Sequence, residues 1–182
     1  MMKKALRLPL LFTALIVLAS GFALHAAAGE RDRGNRFRAS FTETAASITN
    51  RIADLKTFQL INTGSGTVAE FGAATVVVGI TQDRSVAPCG PGSWTNAATR
   101  RIVLEAGVLL LRESSIACPT ASGPVITGTY KVDGLSSTGV FAGARGTGKL
   151  TVDVSTSIAT LSGKLRLADS DNDSDDDDSD DD

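Results

Sequence analysis

Residues 147–154 read TGKLTVDV, and residues 162–167 repeat the pattern as SGKLRL. In the first stretch Leu150 and Val152 alternate with polar or charged neighbours. A period of two puts apolar side chains on one face of a β-strand and polar side chains on the other. The two stretches begin 15 residues apart, and no further copy extends the similarity. They therefore predict two neighbouring strands of one hairpin rather than a repeat architecture.

The region between residues 29 and 168 has the composition of a β-protein. It contains 38 β-branched residues out of 140, which suit half-buried pleated surfaces, and 17 glycines, which supply turns and bulges. Period-two alternation recurs in it, for example at Phe37, Ala39 and Phe41. The predicted strands are 36–43, 56–61, 66–81 (interrupted at Gly72), 101–106, 108–113, 124–133, 146–154 and 158–167.

About eight antiparallel strands with short connections fit a closed barrel or a sandwich, and closure leaves no exposed strand edge. Two continuously apolar runs, 75–80 and 108–111, predict strands that are covered on both faces or that line a filled barrel. Residues 45–55 are the one stretch whose pattern favours a helical turn or two. The predicted fold class is therefore all-β, with an antiparallel closed barrel of about eight strands favoured.

The first 28 residues have the three parts of an export signal. Three cations precede an uncharged apolar stretch over 8–24, and small residues at 26–28 predict cleavage before Gly29. A transmembrane anchor is the alternative, but about 17 apolar residues are at the short limit for crossing a bilayer. We expect an exported, periplasmic or extracellular bacterial protein with no membrane span after cleavage. Its predicted parts are a signal peptide over 1–28, a barrel domain over 29–168 and an Asp-rich tail over 169–182.

Cleavage would remove the only histidine, His25, and with it the imidazole chemistry of most catalytic triads and proton shuttles. Zinc sites of the usual Cys/His kinds are excluded too, because the chain has only two cysteines. In an exported protein Cys89 and Cys118 are expected to form a disulfide, with two free thiols as the alternative. Three glutamates fall on separate predicted strands, so any acid pair would have to be created by the fold: Glu70, Glu105 and Glu113.

Charge is unevenly distributed along the chain. Residues 29–168 carry 15 Lys and Arg against 10 Asp and Glu, whereas residues 169–182 carry ten Asp and no cation. Blocks of like charge are typically solvated, so the tail is predicted to be disordered. The acidic tail, and the lack of aromatic residues among the basic ones, disfavour nucleic acid as a partner.

The tail is also the only candidate metal site. Four of its aspartates alternate with Ser and Asn as in calcium loops: Asp169, Asp171, Asp173 and Asp175. The glycine at position six and the glutamate at position twelve of such a loop are missing, since Ser174 and Asp180 stand there. Weak Ca²⁺ binding by clustered carboxylates is therefore the only cofactor interaction that the sequence predicts.

Residues 138–150 read TGVFAGARGTGKL and resemble the G-x-F-x-G-A-x-G signature of the allene oxide cyclase-like and dirigent-like β-barrel families. Residues 64–72 are similar to a second glycine-rich stretch of their small secreted bacterial relatives. The resemblance implies an eight-stranded antiparallel barrel with an apolar interior. It carries over no catalytic residues, because the plant family's acidic and aromatic cavity residues have no matching positions here. Residues 136–139 also read SSTG where a double glycine is expected before the Phe.

These observations favour a secreted, non-catalytic barrel that binds a small apolar molecule or a protein partner. Trp94 lies in a long predicted loop and is the candidate ligand or partner contact, with packing over a barrel end as the alternative. Two other functions stay open: a cyclase- or dirigent-type enzyme that orients a reactive intermediate, and a calcium-responsive surface or matrix protein that acts through its tail. Polar side chains converging in a pocket would favour the enzyme, whereas a filled aliphatic interior would favour a scaffold.

Overall fold

The computed structural model describes residues 35–50 and 56–168. They form eight strands: β1 (Asn35–Asn50), β2 (Thr57–Val68), β3 (Gly72–Asp83), β4 (Trp94–Leu104), β5 (Gly107–Thr120), β6 (Gly123–Val132), β7 (Arg145–Asp153) and β8 (Ile158–Arg166). Each strand pairs antiparallel with the next, and β8 pairs with β1, which closes the sheet into a barrel. The predicted all-β, eight-stranded closed barrel is confirmed. The predicted signal peptide and Asp-rich tail lie outside the described residues.

The predicted strand over 66–81 was wrong in its boundaries. Residues 66–68 end β2, and a tight turn over 69–71 leads into β3. Glu70 lies in this turn with a φ of 71°, and Glu105 lies in the turn between β4 and β5, so neither is on a strand. Turn residues at the barrel rim accept polar side chains, because solvent reaches them there.

The predicted helical turn within 45–55 was also wrong for its described part. Residues 45–50 continue β1 and pair with β2 as far as Asn50 opposite Phe58. The register shifts between Ala45 and Ser47, where a bulge adds one residue to β1. Such a bulge hides the period-two pattern without ending the strand, and this is why the sequence suggested a helix.

The hairpin that the two similar stretches predict is confirmed as β7 and β8, in which Gly148 pairs with Gly163. Both glycines face the barrel interior and leave room for the buried ring of Tyr130. A Cβ atom on Gly148 would lie 2.3 Å from the Tyr130 hydroxyl, and one on Gly163 would lie 2.5 Å from it. The same ring meets Phe37 edge-on, with the centroids 5.8 Å apart. The repeated glycine therefore serves packing inside the barrel.

One end of the barrel, the plugged end, is closed by the connection between β6 and β7. A 3₁₀ turn over Gly139–Phe141 buries the Phe141 ring against Phe71, with the centroids 4.9 Å apart. Backbone hydrogen bonds join this connection to the turn between β4 and β5. Gly107, the first residue of β5, and Gly139 have φ values of 141° and 64° and approach so closely that a Cβ on either would clash with the other. Only glycine fits both positions.

The half of the barrel next to the plugged end is filled. Its inward side chains are apolar and buried, and the large ones belong to Phe37, Phe41, Val68, Val76, Ile102, Leu104, Leu109, Leu111 and Leu165. The void between Phe37, Phe71 and Leu165 measures about 10 Å³, which is room for about one water molecule. A filled interior of this kind offers no space for a ligand in this half of the barrel.

Candidate ligand site in the barrel interior

Three charged side chains meet in the middle of the barrel and form the charged trio: Glu43, Arg100 and Glu113. Arg100 points inward from β4 and is 1% exposed. Its Nε donates to Glu113 Oε1 of β5 at 2.5 Å, and its Nη1 donates to Glu43 Oε1 of β1. Since β1 is not a neighbour of β4 or β5, the trio bridges the interior from one side of the barrel to the other.

The trio has one guanidinium for two carboxylates, and all three groups are buried. Burial raises the pKa of Glu113 above its ordinary value, and the opposing effect of Arg100 does not offset it. Burial alone would lower the pKa of Arg100, but the charges of Glu113 and Glu43 outweigh it and leave the pKa raised. A shared cation cannot compensate two buried anions fully, so Glu113 takes up a proton more readily than an ordinary glutamate.

Beyond the trio lies the disulfide end of the barrel, which carries the β3–β4, β5–β6 and β7–β8 connections. Cys89 in the first of these connections is bonded to Cys118 of β5, with the Cα atoms 5.6 Å apart, as predicted. This distance lies within the usual disulfide range. The bond holds the long β3–β4 connection against the rim next to Trp94, the first residue of β4.

Trp94 is half-buried and faces a small polar and aromatic cluster at this rim. With its amide oxygen turned toward them, the buried Gln82 accepts hydrogen bonds from Trp94 Nε1 and Arg84 Nε, both at 3.0 Å. The Arg84 guanidinium also lies over the rings of Trp94, at 5.3 Å, and Phe58, at 4.6 Å. The structure therefore gives Trp94 a packing role at one barrel end.

The inward side chains between the trio and this rim include both buried and half-buried residues. Five of them are apolar and half-buried: Phe58, Leu60, Ile80, Ile126 and Val152. Asn96 Nδ2 donates to Ser115 Oγ at 3.3 Å, and both side chains are buried. Asn62 of β2 is different, because its Oδ1 atom is buried and accepts no hydrogen bond. A buried acceptor without a donor is costly, so this atom marks a position that a ligand donor would stabilise.

None of the family models, curated proteins or solved structures compared with this chain matches it. The resemblance to the allene oxide cyclase-like and dirigent-like barrels thus stays a prediction that rests on glycine motifs. Among the described residues no helix is long and apolar enough to cross a membrane. Over 35–50 and 56–168 no three His, Cys, Asp or Glu side chains are grouped to hold a metal ion. The candidate calcium ligands Asp169, Asp171, Asp173 and Asp175 lie outside the described residues.

Sequence reasoning missed Glu43 and Arg100 and assigned no contact to Glu113. A signal was nevertheless present, because each of these residues continues the apolar parity of its own strand. Arg100 is two residues from Ile102, Glu113 is two residues from Leu111, and Glu43 is two residues from Phe41. A charged residue in phase with a buried apolar series indicates an inward charge, which then needs a partner of opposite sign.

Proposed function

We propose that this chain is an exported, non-catalytic barrel that binds a small, mainly apolar molecule inside its disulfide end. The observation that carries the proposal is the unpartnered Asn62 Oδ1, on a residue that shares the inner face of β2 with the half-buried Phe58 and Leu60. The ligand class that fits this lining is an apolar body with one hydrogen-bond donor. The donor would pair with Asn62 Oδ1, and the body would cover Leu60, Ile80 and Val152.

The apolar lining supplies the driving force for this proposal. Each Å² of apolar surface removed from water contributes about 25 cal/mol, and five half-buried side chains still have surface to lose. The hydrogen bond adds orientation and discrimination, because a ligand without the donor leaves Asn62 Oδ1 unpaired. Small-molecule sites commonly combine a mostly apolar wall with a few such polar groups.

The charged trio supports binding over catalysis. The carboxylates of Glu43 and Glu113 both accept hydrogen bonds from Arg100, and their side chains are 4% and 2% exposed. A general acid or base must reach the reacting atom within hydrogen-bond distance. Two carboxylates that are buried and committed to one guanidinium are poorly placed for a cyclase- or dirigent-type reaction on a molecule at the rim.

Trp94 makes the proposal directly testable, because it is the only tryptophan of the chain and lies at the same rim as Phe58, with Arg84 over both rings. We expect titration with 1-decanol to change the Trp94 emission saturably. Its methyl ether, which lacks the donor, should bind about tenfold more weakly, the equivalent of about 1.4 kcal/mol for one hydrogen bond. In Asn62→Leu the alcohol and the ether should bind equally.

Thr63→Ala is the matched control, since Thr63 is the exposed neighbour of Asn62 on the outer face of β2. This variant should keep the preference for the alcohol. Absence of any saturable change with either compound would contradict the proposed site. An unchanged preference in Asn62→Leu would contradict the role of Asn62 while leaving an apolar site in place.

A further inference from the structure

The outer surface of β6, β7, β8 and β1 is strongly cationic, and we name it the basic face. Seven of the twelve lysines and arginines among the described residues lie on it, and all seven are exposed: Arg36, Arg38, Lys131, Arg145, Lys149, Lys164 and Arg166. The outer surface of β2, β3 and β4 is mainly Thr, Ala and Val, with Arg101 as its one cation among the described residues. Positive charge is therefore concentrated on one side of the barrel.

The strand register places cations of this face next to one another. Arg36 is directly opposite Lys164. Like charges facing each other across a ladder destabilise it. The only outward carboxylate on these four strands, within the part that the structure describes, is Asp153 at the disulfide end, which accepts hydrogen bonds from Ser155. An anion bound to the basic face would relieve this repulsion.

We propose that the basic face binds the chain's own Asp-rich tail, residues 169–182. The tail carries ten aspartates and no cation, so its charge is complementary to the seven cations of the face. It also starts in the right place, because β8 ends at Arg166 and Ala168 lies beside Gly143, close to the start of β7. The tail therefore leaves the barrel at the end where Arg145, Arg166 and Arg36 lie.

The length of the tail is sufficient for this contact. Fourteen extended residues reach about 46 Å, whereas a nine-residue strand such as β7 is about 30 Å long. An open depression of about 550 Å³ beside Arg112, Lys131 and Lys149 extends the face toward β5. The tail thus spans the whole face, and its docking covers a surface that would otherwise attract other polyanions.

Zero-length carbodiimide coupling of carboxylates to lysine amines tests the proposal on the full chain. At low salt, about 0.02 M, peptide mapping should find the tail joined to Lys131, Lys149 and Lys164. Lys56 is the internal control, because it lies at the disulfide end beside Asp83 and away from the basic face. At about 0.5 M salt, where the Debye length falls to about 4 Å, the three cross-links should be lost.

A charge variant separates docking from chance collision. Arg36→Gln with Arg38→Gln removes two cations of the face without removing a coupling site, and should reduce the links to Lys149 and Lys164 severalfold. Arg101→Gln removes a cation from the opposite side of the barrel and should leave them unchanged. Equal coupling to Lys56, no coupling at low salt, or links that appear only in covalent dimers would each overturn the proposal, the last by assigning the contact to a second copy.

Discussion

A guanidinium buried among apolar strands has to be paired, and Arg100 is paired twice, with Glu43 and Glu113. Removing it leaves two buried carboxylates without a cation. We expect Arg100→Met to lower the free energy of unfolding by about 3–5 kcal/mol, because breaking a buried ion pair on one side leaves uncompensated charge. Urea denaturation followed by circular dichroism measures the loss. A change below about 1 kcal/mol would mean that water reaches the trio in the folded barrel.

The same trio predicts a pH dependence whose sign follows from Glu113. Its pKa is higher in the folded than in the unfolded chain, so its protonation favours folding at low pH. That stabilisation is complete below the unfolded pKa and is lost as pH rises through the folded pKa. As pH rises from about 4.5, the ordinary glutamate value, through the folded pKa, the chain should therefore lose about 1.4 kcal/mol of stability for each unit by which the two pKa values differ.

Two variants test this assignment by urea denaturation at a series of pH values over this range. Glu113→Gln imitates the neutral carboxyl, so its stability should no longer fall over this range. Glu105→Gln, a change at an exposed turn glutamate, should keep the parent profile. Hydrogen bonds lower the pKa of three aspartates, so these carboxyls titrate below the pH range of the experiment. The donors are Ser85 for Asp83, Arg112 for Asp133 and Ser155 for Asp153. A pH profile of Glu113→Gln that matches the parent would refute the assignment.

At the level of strands, the β7–β8 hairpin depends on two glycines that admit the Tyr130 ring. Gly148→Ala places a methyl group 2.3 Å from the Tyr130 hydroxyl and from the Ser162 carbonyl oxygen. Overpacking of this kind costs about 1–3 kcal/mol, and we expect a loss at the upper end of that range. Gly79→Ala on β3 is the matched control, because no atom lies within 4 Å of its added Cβ. In thermal unfolding, Gly79→Ala should have a melting temperature near that of the parent, and Gly148→Ala should have a clearly lower one.

The disulfide joins the β3–β4 connection to β5. It closes a loop in the chain, because Cys89 and Cys118 are 29 residues apart. The chain-entropy relation gives about 3.5 kcal/mol for a loop of this size. Cys89→Ser with Cys118→Ser should lower the stability by about that amount and keep the β-type circular dichroism spectrum.

Alkylation of the non-reduced parent tests whether the bond forms. Mass spectrometry should then find no labelled thiol. Two labelled cysteines in protein from an oxidising compartment would show that the bond does not form there.

For the whole molecule, strand pairing ends at Arg166, and the ten aspartates of residues 169–182 follow it in the sequence. A chain ending at Ala168 should keep the β-type spectrum and melt within a few degrees of the full chain at moderate salt, because surface ion pairs contribute little there.

The same truncation should abolish Ca²⁺ binding, which calorimetry should detect in the full chain as several weak sites in the roughly millimolar range. Binding retained after truncation would place the site on the barrel.

Much of the fold could be predicted because it depends on local alternation. A strand with one buried face repeats every two residues, so Phe37, Phe41, Leu150 and Val152 indicate strands before any partner is known. The pattern failed where one residue breaks the period, as at the bulge after Ala45, and where a turn is compact, as at Glu70. The disulfide followed from having only two cysteines in a chain expected to be exported.

The candidate site could not be predicted in the same way, because its members are far apart in the sequence. Glu43 and Arg100 are separated by 57 residues and meet only because closure of the barrel brings β1 to face β4 across the interior. Asn62 Oδ1 is unpaired only because the three-dimensional packing gives it no donor. By itself, the sequence determined the strands, the disulfide partners and the separation of charge between barrel and tail, since these depend on neighbouring residues or on composition. Only the tertiary structure decided which polar groups face each other inside the barrel and which cations share one outer face, because both depend on the register and closure of the sheet.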